Sequence, residues 1–369
     1  MTEGKNSFEP NWASPPGDTI LDRLEEFGWN QRELATRLGM SPKHVNQVIK
    51  GREQISDEMA EKLATVLGST PKFWIVREAQ YRIALSRLEK RQVIEDTYGE
   101  WLKELPVKHM LDWNWIRPAA DKADKIGECL RFFGVATLDA WQSQYAKKIA
   151  ATAFRASDKC EKKVGAIAAW LRQGEILASR VECRDYDKEA FSRALDGART
   201  LTREPDPAIF LPKLKAMFAS CGVAVVAAPA PTGCPASGAA WWQKGKGIIL
   251  LSFRHKTDDH FWFSFFHEAA HILLHGRRDQ FIDVGVGTGS KEEQEADEFA
   301  RRHLIPDEVF VSLRANPSVA AISVAADRLG IAPGIIVGSL QHVGSLPYSA
   351  LNGMKHSYEW VKPAVPAAA

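Results

Sequence analysis

Long apolar runs are missing from this 369-residue chain. The longest, around Val223–Ala228 and Ile248–Leu251, fall far short of the ~20 residues that cross a bilayer, so no membrane span is expected. Met1 to Pro10 hold no apolar core of the kind a signal peptide carries. Cysteine is sparse as well. Cys129, Cys160, Cys183, Cys221 and Cys234 are widely spaced, odd in number and without a CxxC pair, which fits buried or surface thiols in a reducing cytosol. Charge of one sign is also lacking, because 48 Lys and Arg against 46 Asp and Glu leave +2. That total points to no partner, although a local basic patch can hide inside it. What is present, 45% apolar and 25% charged residues, is ordinary globular material, and the length suggests two or three domains.

Residues 18–68 carry four short helical patterns: Ile20/Leu21/Leu24/Phe27, Leu34/Ala35/Leu38, Val45/Val48/Ile49 and Met59/Leu63/Val66/Leu67. Gly28, Gly39, Gly51 and Gly68 sit just past the apolar runs as helix stops, while Asn30, Ser41 and Ser56 are placed as N-caps. A longer helix is predicted from about Pro71 to Arg91, and further helices from about 95 to 220. The tryptophans of that region, Trp101, Trp113, Trp115, Trp141 and Trp170, read as packing rather than as a ligand box. Strands are predicted only after it, at Val223–Ala228, Trp241–Gln243 and Ile248–Phe253, the last two flanking a hairpin turn at Lys244–Gly247. A helix from about Asp258 to His275, a Gly-rich loop (Val284 to Gly289) and a helix from Lys291 to Leu304 follow.

The segment 30–52 concentrates positive charge, with Arg32, Arg37, Lys43, Lys50 and Arg52 against Glu33. At about 100° per residue, Val45, Val48 and Ile49 share one arc of the third helix. Lys43, Gln47 and Lys50 occupy the opposite arc, flanked by His44 and Asn46. One buried face and one face of Lys, Gln, Asn and His suit a helix that enters a DNA major groove; a small domain with a solvated polar face is the alternative.

The second cluster is His267-Glu268-Ala269-Ala270-His271. Histidines at i and i+4 differ by about 40° around a helix and lie about 6 Å apart along it, so both rings can reach one tetrahedral zinc. Glu268, about 100° away, is placed to act on water as a general base. His275 would lie about 12 Å along the axis from His267, too far for a third ligand, and reads as a helix-end residue or substrate contact. In Lys291–Leu304, residues Glu293, Asp297, Ala300 and Leu304 share one face, whereas Glu295 and Glu298 point the other way. Glu293 is therefore the expected third ligand, and Asp297 the expected partner of a ligand histidine's ring N–H.

Two resemblances add to these readings. "NQRELATRLGMSPKHVNQVIKGREQIS" resembles the helix-turn-helix of XRE-type repressors, especially their HigA-type antitoxin branch, and "LGSTPKFWIVREAQYR" is similar to that branch's closing helix. The resemblance implies a double-stranded DNA operator, contacts from Gln31, Ser41, Lys43, His44 and Gln47, and a homodimer. "FWFSFFHEAAHILLHG" and "EEQEADEFARRHLIP" resemble the ImmA/IrrE metallopeptidases, which implies Zn2+ and a repressor or antitoxin protein as substrate, with self-cleavage included. His303 departs from that pattern and receives no role; His275 and Arg277 are considered as oxyanion stabilisers. The expected architecture is mainly α with a small β-sheet. It comprises a helix-turn-helix bundle (15–92), a helical middle or linker region (93–205), a zincin-like α+β domain (206–310), a helical extension (311–360) and a disordered tail (361–369). The expected location is the cytoplasm, associated with the nucleoid. The alternative function is a HigA-like antitoxin or repressor with a structural or dormant zinc site.

Overall fold

A computed structural model describes residues 12–147, 149, 164–275, 281–283 and 290–363. They fall into two compact units that divide between Gly99 and Glu100. The protein is mainly α-helical with one small sheet, which lies in the second unit.

The first unit holds α1 (Pro16–Phe27), α2 (Gln31–Leu38), α3 (Pro42–Ile49), α4 (Asp57–Leu67) and most of α5 (Pro71–Glu104). Asn30, Ser41 and Ser56 cap α2, α3 and α4, each side-chain oxygen accepting a backbone N–H three residues on. Gly28 and Gly39 close α1 and α2 in the left-handed conformation, which a side chain would strain. The apolar arcs read from the sequence meet in one core of Ile20, Leu34, Val45, Leu63 and Trp74. Helix α5 continues past the expected Arg91, since no proline interrupts it before Pro106.

In the second unit, α6 (Val107–Asp112), α7 (Lys122–Phe133) and α8 (Leu138–Trp141), with a π-helical continuation Gln142–Ala146, precede α9 (Val164–Ser179). Trp101, Trp141 and Trp170 are buried, with Trp170 Nε1 donating to Ala228 O at 2.9 Å, so these rings pack rather than line a ligand box. Helices α10 (Lys188–Leu201) and α11 (Pro207–Ala219) lead into β1 (Val223–Ala227), β2 (Gly238–Gln243) and β3 (Lys246–Leu251). The sheet order is β1-β3-β2-β4, with β4 spanning Phe281–Asp283. β1 runs parallel to β3, and the β2 pairings are antiparallel. The hairpin needs only Lys244 and Gly245, both at positive φ as a tight two-residue turn requires. Strand β3 stops at Leu251, before Phe253 turns to a φ of 55° and leaves the pleat.

Beneath the sheet lies α12 (Asp258–Leu274), packed against β2, β3, α13 (Lys291–Leu304) and α16 (Pro333–His342). Helices α14 (Asp307–Ala315) and α15 (Val319–Leu329) complete the unit. One core runs from Phe191 through Phe265 to Leu340 and Tyr358, so the sequence divisions at 205/206 and 310/311 fall inside it. The last described segment braces the start of α12: Lys355 Nζ reaches Asp259 at 2.7 Å, and Thr257 bridges to Ser357. Among the described residues no single helix is long and apolar enough to cross a membrane. Cys160, Arg277, the Gly-rich loop 284–289 and residues 364–369 of the expected tail lie outside the described residues.

Candidate metal centre and helix-turn-helix surface

Helix α12 is apolar on nearly every side, because it is wedged between sheet and helices. Among the polar residues it buries in that wall are His267, Glu268 and His271, none more than 4% exposed. Burying such groups is costly unless each finds a partner. Across from them, α13 is capped by Ser290, whose hydroxyl accepts the Glu293 backbone N–H and sets the first turn. The two helices bring together His267, His271 and Glu293. The His267 and His271 Nε2 atoms are 3.1 Å apart. Glu293 Oε2 lies 3.1 Å from His267 Nε2, and its Oε1 lies 3.6 Å from His271 Nε2. Ligands at about 2.05 Å on a tetrahedral metal stand about 3.3 Å from one another, so the three spacings suit a single ion. Burial raises the Glu293 carboxyl, but the two histidines facing it outweigh that and hold the group down to about 2. Burial also lowers His271, favouring the neutral ring with a lone pair to give.

Around these groups the structure adds three features. Asp297 Oδ1 lies 2.9 Å from His267 Nδ1, although the rest of its side chain is exposed. His275, at the C-cap of α12, has its Nδ1 2.9 Å from His271 Nδ1 and its Nε2 3.1 Å from Glu295 Oε2. Glu295, which the sequence placed on the face opposite Glu293, thus has a partner of its own. It does point away from Glu293 and Asp297, but His275 lies on that side. The sequence showed the i+4 spacing from His271 to His275 without the partner that gives it meaning. Gly238, the first residue of β2, was also missed. A Cβ there would lie 2.4 Å from Glu268 Oε1, so the strand backbone is the surface on which Glu268 rests. His303 is half-buried, stacked on Phe299 and set against Phe266, with burial lowering its pKa, which makes it a packing residue. A cavity of about 350 Å³ has Asp297 in its wall, together with Asp259, His260, Phe263 and Arg301.

On the first unit, Lys43 and Lys50 are exposed, and Gln31, His44, Asn46 and Gln47 are half-buried. Asn46 Nδ2 donates to Gln31 Oε1 at 3.0 Å, which ties the start of α2 to α3. His44 is held by Glu53 at 2.5 Å, and Ser41 Oγ is occupied as the α3 cap. Arg37 pairs with Glu33 and lies over Trp29, 3.8 Å from the ring centre. Within residues 30–52, Arg32, Lys43, Lys50 and Arg52 also face solvent.

The fold and these two surfaces define a helix-turn-helix module joined to a peptidase-like α+β unit with a candidate metal cluster. Residues 20–74 match the helix-turn-helix family and residues 222–333 match the IrrE N-terminal-like domain. The chain belongs to the helix-turn-helix regulators through its N-terminal XRE-type domain, and its C-terminal part is an IrrE-type peptidase-like domain. The N-terminal part is 32% identical over 82 residues to the uncharacterized HTH-type transcriptional regulator YddM of Escherichia coli (strain K12), covering 20% of this chain and 87% of that protein. It also matches a crystal structure described as a candidate antidote protein of a plasmid maintenance system from Nostoc punctiforme. That match is 25% identical with a TM-score of 0.22, over 23% of this chain and 92% of the other.

Proposed function

We propose that this protein is a DNA-binding transcriptional regulator with zinc-dependent endopeptidase activity, which cleaves a repressor or antitoxin protein, itself included, to relieve repression. The observation that carries the reading is the convergence of His267, His271 and Glu293 within one ion's reach beside the buried carboxylate of Glu268. These three residues would hold the zinc, and Asp297 would orient His267. When bound, zinc supplies a Lewis acid that lowers the pKa of water and polarises a carbonyl. Glu268 takes the proton from the attacking water and returns it to the departing amine. The apolar wall around Glu268 excludes bulk water and strengthens each electrostatic contact inside. Lys43, Gln47, Lys50 and Asn46 on α3, with Gln31 at the start of α2, would contact a double-stranded operator, and a homodimer would read its two halves. Cytoplasmic, nucleoid-associated action follows from that pairing of partners.

The test compares wild-type protein with Glu268→Gln on candidate repressors, reading cleavage by mass spectrometry alongside zinc content and operator binding. Loss of cleavage with both binding functions kept is the expected result. A second reading, a repressor or antitoxin whose zinc site is dormant, draws on the complete burial of Glu268 against β2. It predicts intact repressor from wild type and variant alike.

A further inference from the structure

A histidine that binds a metal through Nε2 carries its proton on Nδ1, and that N–H needs an acceptor. For His267 the acceptor is Asp297 Oδ1, at 2.9 Å. For His271 the atom 2.9 Å from Nδ1 is another imidazole nitrogen, His275 Nδ1. Two ring nitrogens at that distance share one proton, so one ring donates and the other accepts with its lone pair. His271 Nε2 faces His267 and Glu293, so the Nδ1 proton must sit on His271. His275 is then the acceptor and keeps its own proton on Nε2. That N–H points at a carboxylate, Glu295 Oε2, 3.1 Å away. One assignment of two protons satisfies every contact in the chain.

We infer that Glu295 and His275 form a second orienting arm, which fixes the tautomer and ring plane of His271 as Asp297 does for His267. The inference rests on the metal-site reading above. It gives α13 three carboxylates with three tasks, at every second residue. Glu293 faces the ion and Asp297, one turn on, faces the first histidine. Glu295 lies about 200° round from Glu293 and can act only through an intermediary. His275 supplies that link because α12 ends there: its backbone is extended (φ −102°, ψ 145°), and its side chain is 8% exposed. A residue that merely terminated the helix would need only its backbone N–H, which already donates to His271 O. Both ring nitrogens of His275 are engaged as well. Neither is a catalytic residue here; both are positioning residues.

The experiment uses the full-length protein, with zinc affinity measured by competition against a chromophoric chelator. The visible spectrum of the Co(II)-loaded protein reports the ligand field. His275→Ala should weaken zinc binding by about 10- to 100-fold and alter the Co(II) bands. His275→Gln, whose amide oxygen can accept the His271 Nδ1–H, should recover most of that loss. Glu295→Ala, at a partly exposed position where folding is not at stake, should weaken binding to a smaller degree. Wild-type affinity and an unchanged Co(II) spectrum in both alanine variants would overturn the arm. So would a loss in His275→Ala that His275→Gln fails to repair, since that marks a packing role. A wild-type protein that takes up no metal would instead overturn the metal-site reading itself, and the arm with it.

Discussion

Replacing Gly238 with alanine adds one methyl group, and the structure says where it goes. The new Cβ would stand 2.4 Å from Glu268 Oε1, 2.6 Å from its Cγ and 2.8 Å from its Cδ. Ordinary contacts begin near ~3.5 Å, so the carboxylate must retreat by about 1 Å. The strand cannot retreat easily, because Gly238 is paired on both sides, with Leu251 of β3 and Asp283 of β4. A catalytic group displaced by about 1 Å costs about 100-fold in rate, or about 2.7 kcal/mol of barrier. His267, His271 and Glu293 do not touch the new methyl in the nearest contacts, so metal content should stay at the wild-type level. Overpacking of a buried site should lower stability by about 1–3 kcal/mol, seen as a modest drop in melting temperature. The assay is a double-mutant cycle on repressor cleavage: wild type, Gly238→Ala, Glu268→Gln and the pair. If Gly238 acts by seating Glu268, adding Gly238→Ala to Glu268→Gln costs nothing further in rate. A Gly238→Ala protein that cleaves at the wild-type rate, or a fully additive double variant, would refute the reasoning.

Other outcomes follow from the same geometry. His267→Ala and His271→Ala should each abolish stoichiometric zinc uptake measured by elemental mass spectrometry, with operator binding by the first unit unchanged. Asp258, fully buried at the start of α12, has its carboxyl raised by burial to about 6 from an ordinary 3.8. Its folded pKa lies above the unfolded value, so its contribution favours folding fully below about 3.8 and is lost as the pH rises through about 6. Asp258→Asn should therefore raise the unfolding free energy at pH 8 but not at pH 4, by at most roughly 3 kcal/mol in denaturant titrations; a pH-independent effect would contradict it. Ser41→Ala removes the α3 cap and should cost about 1 kcal/mol in denaturant unfolding of the first unit. Lys43→Ala should flatten the salt dependence of operator binding by about one unit of slope, while Gln47→Ala should cost about 1–3 kcal/mol at one base position.

Much of this was legible in the chain, and the boundary between what was and what was not has a physical cause. The first-unit helices follow from periods and caps within single segments: Asn30, Ser41 and Ser56 act on residues three positions away, and Gly28 and Gly39 act on their own backbone. The spacing of His267 and His271 is equally local, and the inward face of Glu293 follows from the 100° step alone. What was not legible depends on a second element arriving from elsewhere. Glu295 looks like a solvated acid until the end of α12 delivers His275 to it. Gly238 reads as an unremarked residue between Ser237 and Ala239 until the buried Glu268 is laid on its Cα. The same limit governs the division of the chain. Helices α10 and α15, taken alone, resemble parts of a linker and an extension. Yet Phe191 and Ile322 enter the same core as Phe265, and Arg199 Nη2 reaches the carbonyls of Leu304 and Leu329 at 3.4 Å. The candidate metal helix is thus held by segments distant in the chain on either side. A peptidase unit cut at 206 and 310 would expose Phe265 and its neighbours, so it should express as insoluble material, whereas a piece from Glu100 onward should fold and take up zinc.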